Sequence, residues 1–335
     1  MRKENINKNK KRKKFSWKMF LGFMAFQIFF GIVTAPFILL YGPFENAKKT
    51  FVSSAMGSMH YQWLATTLLS QEKIDDILGK NDEIKVDFAA PDTSLINIAN
   101  KNSTNVNKMV IQGENYRGYV LEVADPTRVH VGTSSKLDIN EGEKTSKIAK
   151  NYNAVAAING GQFTDDPEAE EWTQNGGLPQ GIIISFGEEI FAGVNPDVDY
   201  LDVAAINSQG RLIVGKYTLN QLREMDIQEA LNFGPTLIYN GEKVPFVDTV
   251  GNAPKTLIGQ KADGTMVLVA IDSKTGSRAT VTLEEAQQIM YDLGCINATN
   301  LDGGKSTTMY YNGEVINNPS FATGERKISA GFVVK

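Results

Sequence analysis

Apolar residues along this chain follow three spacings in turn, and each predicts a different kind of element. Met19 to Tyr41 is a run of 23 residues without a charge, in which Gln27 and Thr34 are the polar members. A helix over this run reaches about 34 Å at 1.5 Å per residue, enough to cross the hydrocarbon core of a bilayer. Pro36 predicts a kink, which membrane helices tolerate. From Glu45 to about Lys80 the spacing becomes helical: Phe51, Ala55, Met59, Trp63 and Leu64 recur near one face, followed by Leu68 and Leu69. Ser70 opens a second short helix with Ile74, Ile77 and Leu78 apolar and Gly79 as its stop. This stripe suits packing on the following domain or self-association; a partner or the membrane surface is the other reading. Asn81 to Asn107 is rich in Asn, Asp, Ser and Thr and reads as a linker.

From Lys108 onward the pattern is that of short strands. The expected strands are 109–112, 116–123, 128–131, 154–158, 181–186, 201–206, 212–214, 236–239, 256–259, 266–271, 307–311 and 328–334. Several are continuous apolar runs, as in Val267-Leu268-Val269-Ala270-Ile271, which predicts strands covered on both faces. Two helices are expected among them. One spans Leu219–Leu231. The other runs over 283–293, opened by a Thr282/Glu285 capping box, lined by Ala286, Ile289, Met290 and Leu293, and stopped by Gly294. The fold class predicted is α+β: a strand-rich mixed-sheet domain with a few packed helices, preceded by one transmembrane helix and a short helical stalk.

Charge orients the first segment. Ahead of the apolar run stand Arg2, Lys3, Lys8, Lys10, Lys11, Arg12, Lys13, Lys14 and Lys18 against Glu4, a net of +8. The positive-inside rule keeps such a tail in the cytoplasm and sends the C-terminal bulk outside. A cleaved signal peptide would have a shorter apolar region and small residues after it, whereas Tyr41-Gly42-Pro43-Phe44-Glu45 follows here. The reading is therefore an uncleaved, single-pass anchor in the cell membrane. The whole chain carries −4, so the rest carries −12, which leaves no electrostatic footprint for nucleic acid. One cysteine, Cys295, allows no internal disulfide, and His60 and His130 are the only histidines, so no Cys/His metal cluster is expected. Absence of cystines in an external domain fits a bacterial cell surface. Cys295 reads as a buried structural thiol.

The stretch with the densest chemistry is Asn300-Leu301-Asp302-Gly303-Gly304-Lys305-Ser306-Thr307-Thr308-Met309. It combines a carboxylate, a lysine and three hydroxyls around two glycines that permit a tight bend and close approach to a ligand. A plain glycine-rich turn is the alternative. A nucleotide-binding P-loop is not: Thr299 stands where that motif needs its first glycine, and a strand rather than a helix is expected after the lysine.

An ordered set of motifs surrounds it. Ala157-Ile158-Asn159-Gly160-Gly161-Gln162-Phe163 is followed by Gly234-Pro235-Thr236-Leu237, Lys255-Thr256-Leu257-Ile258-Gly259, Ala270-Ile271-Asp272, the Asp302 loop and Gly324-Glu325-Arg326-Lys327-Ile328. In this order they resemble the phosphodiester glycosidase family, over roughly 151–335, with 108 as the outer limit of where the resemblance starts. Bacterial members are often described as exopolysaccharide biosynthesis proteins. The organisation expected is a cytoplasmic tail at 1–18, an anchor at 19–41, a helical juxtamembrane segment and linker at 42–104, and a phosphodiester glycosidase-like domain at 105–335.

The resemblance implies hydrolysis of a sugar-1-phosphodiester, releasing the sugar and a phosphomonoester. Because the phosphomonoester leaves readily, a strong general acid is less necessary than a carboxylate at the anomeric centre and a cationic or N–H-rich cradle for phosphate. Asp302 is the first choice for the carboxylate. Asp272, at the end of a buried strand, is the second, with a loop cap as its plainer role. Asn159 is expected to meet sugar hydroxyls or to form a turn. Gly160, Gly161, Lys255, Thr256, Gly303, Gly304, Lys305, Ser306, Thr307, Glu325 and Arg326 are expected to bind substrate or phosphate, with a surface Arg326–Glu325 pair as the alternative for those two. Two positions depart from the family pattern: Lys255 replaces an arginine and Lys305 a third glycine, and lysine lacks the planar fork that grips phosphate. No cofactor is expected. The acid-rich run Asp165–Glu171 is a solvated loop or lid, or a Ca²⁺ site through oxygen ligands, and Trp172 beside it is placed to stack on a sugar. A non-catalytic glycan-binding or assembly module on the same fold is the competing function.

Overall fold

The computed structural model describes residues 16–56, 61–79, 88, 92–166, 175–246, 252–274, 280–320 and 324–335. The chain forms two compact units, Met1–Phe51 and Val52–Lys335. In the first, Trp17–Tyr41 is one helix with Pro36 inside it and Ser16 as its N-cap. Of its residues only Leu40 is buried, and its length and hydropathy suffice to cross a membrane. The Thr34 hydroxyl bonds back to the carbonyl of Phe30, which satisfies a polar group inside an apolar run. The helical stretch expected over 45–80 is divided into Glu45–Met56, Trp63–Thr66 and Gln71–Leu78. Ser70 caps the last of these and Gly79 ends it in the left-handed conformation.

The second unit is organised around three antiparallel sheets. The largest has seven strands, in the order 106–112, 116–123, 266–273, 255–261, 295–301, 236–239 and 242–243. A second orders 212–217, 201–207, 227–232, 182–185 and 188–192, and a third orders 314–315, 309–311, 156–159, 330–334 and 129–133. The α+β class stands, but the ladders among the described residues are antiparallel rather than mixed. The continuous apolar runs have a different cause from parallel crossovers. One face of each sheet enters a shared core: Leu268 and Ala270 from the first, Ala204 and Leu231 from the second, Ile158 and Phe332 from the third. The other face of each carries a helix. Val267, Val269 and Ile271 lie under the helix Leu283–Asp292, through Leu283, Ala286 and Met290. Helix Leu219–Glu224 covers the second sheet and helix Thr145–Asn151 the third.

Three local expectations are corrected. The helix expected over Leu219–Leu231 stops at Glu224. Asp226 takes a positive φ, and Ile227–Asn232 becomes a central strand. Pairing with two neighbouring strands outweighs the helical spacing there. Second, the strand Cys295–Leu301, absent from the strands expected, stands between the helix over 283–292 and the Asp302 loop. Its polar residues hid it, and each is paired. Asn297 bonds Leu212 O and the Asn240 N–H, Thr299 bonds Pro235 O, and Asn300 bonds Gly234 O. Third, the expected strand over 307–311 begins only at Met309, because Gly304–Ser306 forms a 3-10 turn.

The stretch expected to be a linker is not loose at its end. Ile96 is buried, the N–H groups of Asn97 and Ala99 bond the carbonyls of Ala262 and Asp263, and the first strand starts at Val106.

Candidate active site

Strand Ala156–Asn159 pairs with 309–311 on one side and 330–334 on the other, so Asn159 lies where the third sheet meets the Asp302 loop. Its side chain is fully buried and every amide atom is used. Oδ1 accepts from the Thr256 hydroxyl at 2.8 Å and from the Thr308 N–H at 3.0 Å, and Nδ2 donates to the carbonyl of Asp302. Asn159 thus holds the loop and does not present its amide to a sugar. It is not a left-handed turn residue either, since it continues a strand and has no positive φ.

The neighbouring glycines are explained by packing. A Cβ on Gly160 would lie 2.6 Å from Leu231 and one on Gly303 would lie 2.6 Å from the carbonyl of Pro254. Gly304 has φ +60° with open space beside it, so here the backbone bend itself selects glycine. The loop is pinned further by Asp302 N–H to Gly160 O at 3.0 Å and Gly304 N–H to Pro254 O at 2.8 Å.

Asp302 is the chemical centre of this loop. The residue is half-buried, yet its Oδ2 is sealed from solvent and has no partner within the protein. Burial pushes its carboxyl up to about 6, against the opposing pull of the Ser306 hydroxyl, the Arg326 charge and the Gly303 N–H. The hydroxyls of Thr307 and Thr308 are also buried without a protein partner. Three unsatisfied polar atoms on one loop are uncommon in a folded interior and call for an outside group to meet them.

Arg326 is buried, with its guanidinium over the Phe163 ring at 4.9 Å and Nη2 bonded to Asp165 at 2.8 Å. It does not pair with Glu325 on the surface. Glu325 instead accepts from both the N–H and the hydroxyl of Ser146, in the first turn of helix 145–151, where a carboxylate is favoured. Asp165 uses its other oxygen on the Gly176 N–H. Residues 167–171 of the acid-rich run and Trp172 lie outside the described residues, and among the described residues no cluster of acids, histidines or cysteine is placed to hold a metal.

The remaining predicted residues divide. Thr256 is at the centre through Asn159, and Ser306 through Asp302. Lys255 is not brought to them. It is buried and donates to Ala253 O at 3.1 Å, and it faces Ile271 across the ladder. Strand alternation therefore puts it with Leu257 and Ile271, on the side of the sheet opposite Thr256. Lys305 is exposed at the loop's tip. Asp272 lies on the Thr256 side, but both its oxygens are taken, Oδ1 by Asn317 Nδ2 at 2.9 Å and Oδ2 by the Asn318 N–H at 2.7 Å. Its pKa is raised by burial, partly offset by those two bonds. His130 bonds Glu229 at 2.8 Å and stacks on Phe186, in a separate cluster. Sequence reasoning missed Asn317 and Thr308 as parts of the site, and it singled out Asp165 only as part of the acid-rich run, not as the partner of Arg326. Of the two missed residues Thr308 had a signal, its place in the motif itself.

The SPbeta prophage-derived uncharacterized protein YomE of Bacillus subtilis is 27% identical over 214 residues, covering 58% of this chain and 29% of the relative. The chain thus spans under a third of that relative's length. Among solved structures, the catalytic domain of zebrafish N-acetylglucosamine-1-phosphodiester alpha-N-acetylglucosaminidase, described as auto-inhibited by its pro-peptide, shares the fold. Its TM-score is 0.57 at 22% identity, covering 71% of this chain and 86% of that one. The profile of phosphodiester glycosidases matches residues 152–335, more than half of the chain and all of the Asp302 site, and the chain belongs to the phosphodiester glycosidase family.

Proposed function

We propose that this protein is a membrane-anchored hydrolase that cleaves the glycosidic bond of a sugar-1-phosphodiester in a surface or exported polysaccharide. The observation that carries the reading is the Asp302 carboxylate, whose Oδ2 is buried without a protein partner on a loop that also holds two unpartnered hydroxyls, near the charge of Arg326. With its pKa pushed to about 6, Asp302 is mostly ionised at neutral pH and remains basic enough to take a proton.

In the reaction, the bond from the anomeric carbon to the phosphate oxygen breaks and its electron pair leaves with the phosphomonoester. Either Asp302 attacks the anomeric carbon and water then hydrolyses the glycosyl ester to release the sugar, or Asp302 takes a proton from a water that attacks the anomeric carbon directly. The leaving phosphate needs little protonation, so a single carboxylate with a nearby cation suffices. Arg326 supplies that cation, and Asp165 and Phe163 hold its plane. The extracellular placement rests on the apolar helix and the basic tail before it.

The test is release of free sugar by the full-length protein from methyl phosphodiesters of glucose, galactose, mannose and N-acetylglucosamine 1-phosphate, with Asp302→Asn as control. Turnover that Asp302→Asn abolishes supports the proposal. Binding of a sugar 1-phosphate without turnover of any diester would replace it with the binding-module reading.

A further inference from the structure

We propose that Asn317 is a positioning residue for the Asp302 loop and that Asp272 is its orienting partner rather than a reacting group. The proposal rests on Asp302 being the reacting carboxylate.

The loop 302–308 is clamped from two sides by asparagine amides. On one side Asn159 holds Asp302 and Thr308. On the other, Asn317 Nδ2 donates to Thr307 O at 3.0 Å and Asn317 Oδ1 accepts from the Met309 N–H at 2.7 Å. One side chain thus supplies the donor and the acceptor that a neighbouring strand would otherwise give. The backbone adds Ile316 N–H to Met309 O at 2.9 Å. Thr307 and Thr308, whose hydroxyls are buried and unpartnered, lie between these attachments.

A primary amide can rotate by half a turn and exchange its oxygen and nitrogen, which would break both bonds to the loop. Asp272 prevents this. Its Oδ1 accepts from the same Asn317 Nδ2 at 2.9 Å, and a carboxylate can only accept, so the nitrogen must face it. The Asn318 N–H occupies Oδ2 at 2.7 Å and fixes the carboxylate in turn. Asp272 closes strand 266–273, so the relay ties the seven-stranded sheet to the back of the loop. With both oxygens engaged and 6% of its surface exposed, Asp272 has no lone oxygen to offer an anomeric carbon.

The test uses the full-length protein and whichever methyl sugar-1-phosphodiester turns over fastest. Asn317→Ala and Asp272→Ala should each lower kcat by about 10- to 100-fold with KM within about threefold, since misplacing a reacting group costs rate more than binding. The double variant should be no slower than the worse single one. Asn317→Asp keeps an acceptor for the Met309 N–H but has no donor for Thr307 O, and should lower kcat at least as far as Asn317→Ala. Multiplying losses in the double variant would overturn the proposal. Hydrogen exchange decides independently of turnover. Amides of 302–309 should exchange faster in Asn317→Ala while strands 201–207 and 212–217 stay protected, and unchanged exchange at the Met309 amide would refute the clamp. If the native protein hydrolyses none of the diesters, the proposed reaction fails while the exchange result still decides the role of Asn317.

Discussion

The Asn159 amide donates to the backbone carbonyl of Asp302, so a side chain at the end of one sheet fixes the residue that follows a strand of another. The bond is local in space but spans 143 positions of sequence. Asn159 also accepts from Thr256 and Thr308, which makes it a junction of two sheets and one loop.

Replacing Asn159 by Ala should therefore destabilise the protein strongly. It leaves the Thr256 hydroxyl, the Thr308 N–H and the Asp302 carbonyl without this partner in a buried place, a loss of about 3–5 kcal/mol in all. Thr256→Val removes a single bond and should cost only about 1 kcal/mol. Thermal melting of both variants checks this: a Tm for Asn159→Ala within a degree of native would show that the junction carries no weight.

Asp302→Asn should abolish turnover and at the same time stabilise the protein at neutral pH. The sign follows from linkage. The folded carboxyl titrates near 6 and the unfolded one near 3.8, so the folded state binds more protons between these values. Stability contributed by Asp302 is full below about pH 4 and is lost as pH rises through 6. An uncharged Asn escapes that loss. Its Tm advantage should be present at pH 7–8 and disappear below about pH 4. If the proposed reaction holds, kcat/KM of the native protein should climb with pH to a plateau above about 6, because the ionised form reacts. A rate that falls over the same range would make Asp302 an acid instead.

The sequence made the elements built on apolar periodicity legible, and it concealed those built on polar pairing. Helix 283–292 appears where its capping box and its Ala286 and Met290 face predicted it, and strand 116–123 has the bounds expected. The strand 295–301 was hidden because Asn297, Thr299 and Asn300 look like loop residues until their partners on 212, 235 and 234 are known. The site divides in the same way. Asp302, Asn159 and Thr256 meet as the motif order implied. Lys255 does not, because a strand sends alternate side chains to opposite faces and its neighbour Thr256 already faces the loop. Glu325 and Arg326 are adjacent in sequence but serve Ser146 and Asp165 respectively, contacts that no local spacing encodes.

Met290→Asp should test the helix that covers the large sheet. Met290 is fully buried, and its terminal methyl lies against Gly259, within 2.6 Å of where a Cβ there would sit. An unpaired carboxylate at this position should destabilise by several kcal/mol, on the order of 4. A native urea midpoint would show that the helix is not packed as described.

Arg326→Met should shift the pH dependence as well as lower the rate. Arg326 is one of the groups that hold the Asp302 carboxyl down against burial. Without it the Asp302 pKa rises further, so the acid limb of kcat/KM should move to higher pH. The same change strands Asp165 beside an apolar side chain, and breaking such a buried pair costs about 3–5 kcal/mol. Arg326→Lys keeps the charge and should retain the native pH limb while losing the planar hold over Phe163. Identical pH profiles in all three proteins would mean that Arg326 does not act on Asp302 electrostatically.

The membrane arrangement gives the last prediction. The helix Trp17–Tyr41 exposes Phe20, Phe23, Phe26, Phe29, Phe30 and Ile32, an apolar surface that water disfavours and lipid accepts. Eight cations against one acid precede it and Lys18 stands in its first turn, which favours retention of the N-terminus on the cytoplasmic side. Protease added to intact cells expressing the full chain should therefore degrade the 105–335 region while an N-terminal fragment containing the helix stays protected. Replacing Lys10, Lys11, Arg12, Lys13 and Lys14 by Gln should weaken the bias and leave a fraction of the domain inside, protected until the cells are opened. Full protection of the native domain in intact cells would reverse the topology. A mature chain that begins after Tyr41 would show instead that the helix is a cleaved leader.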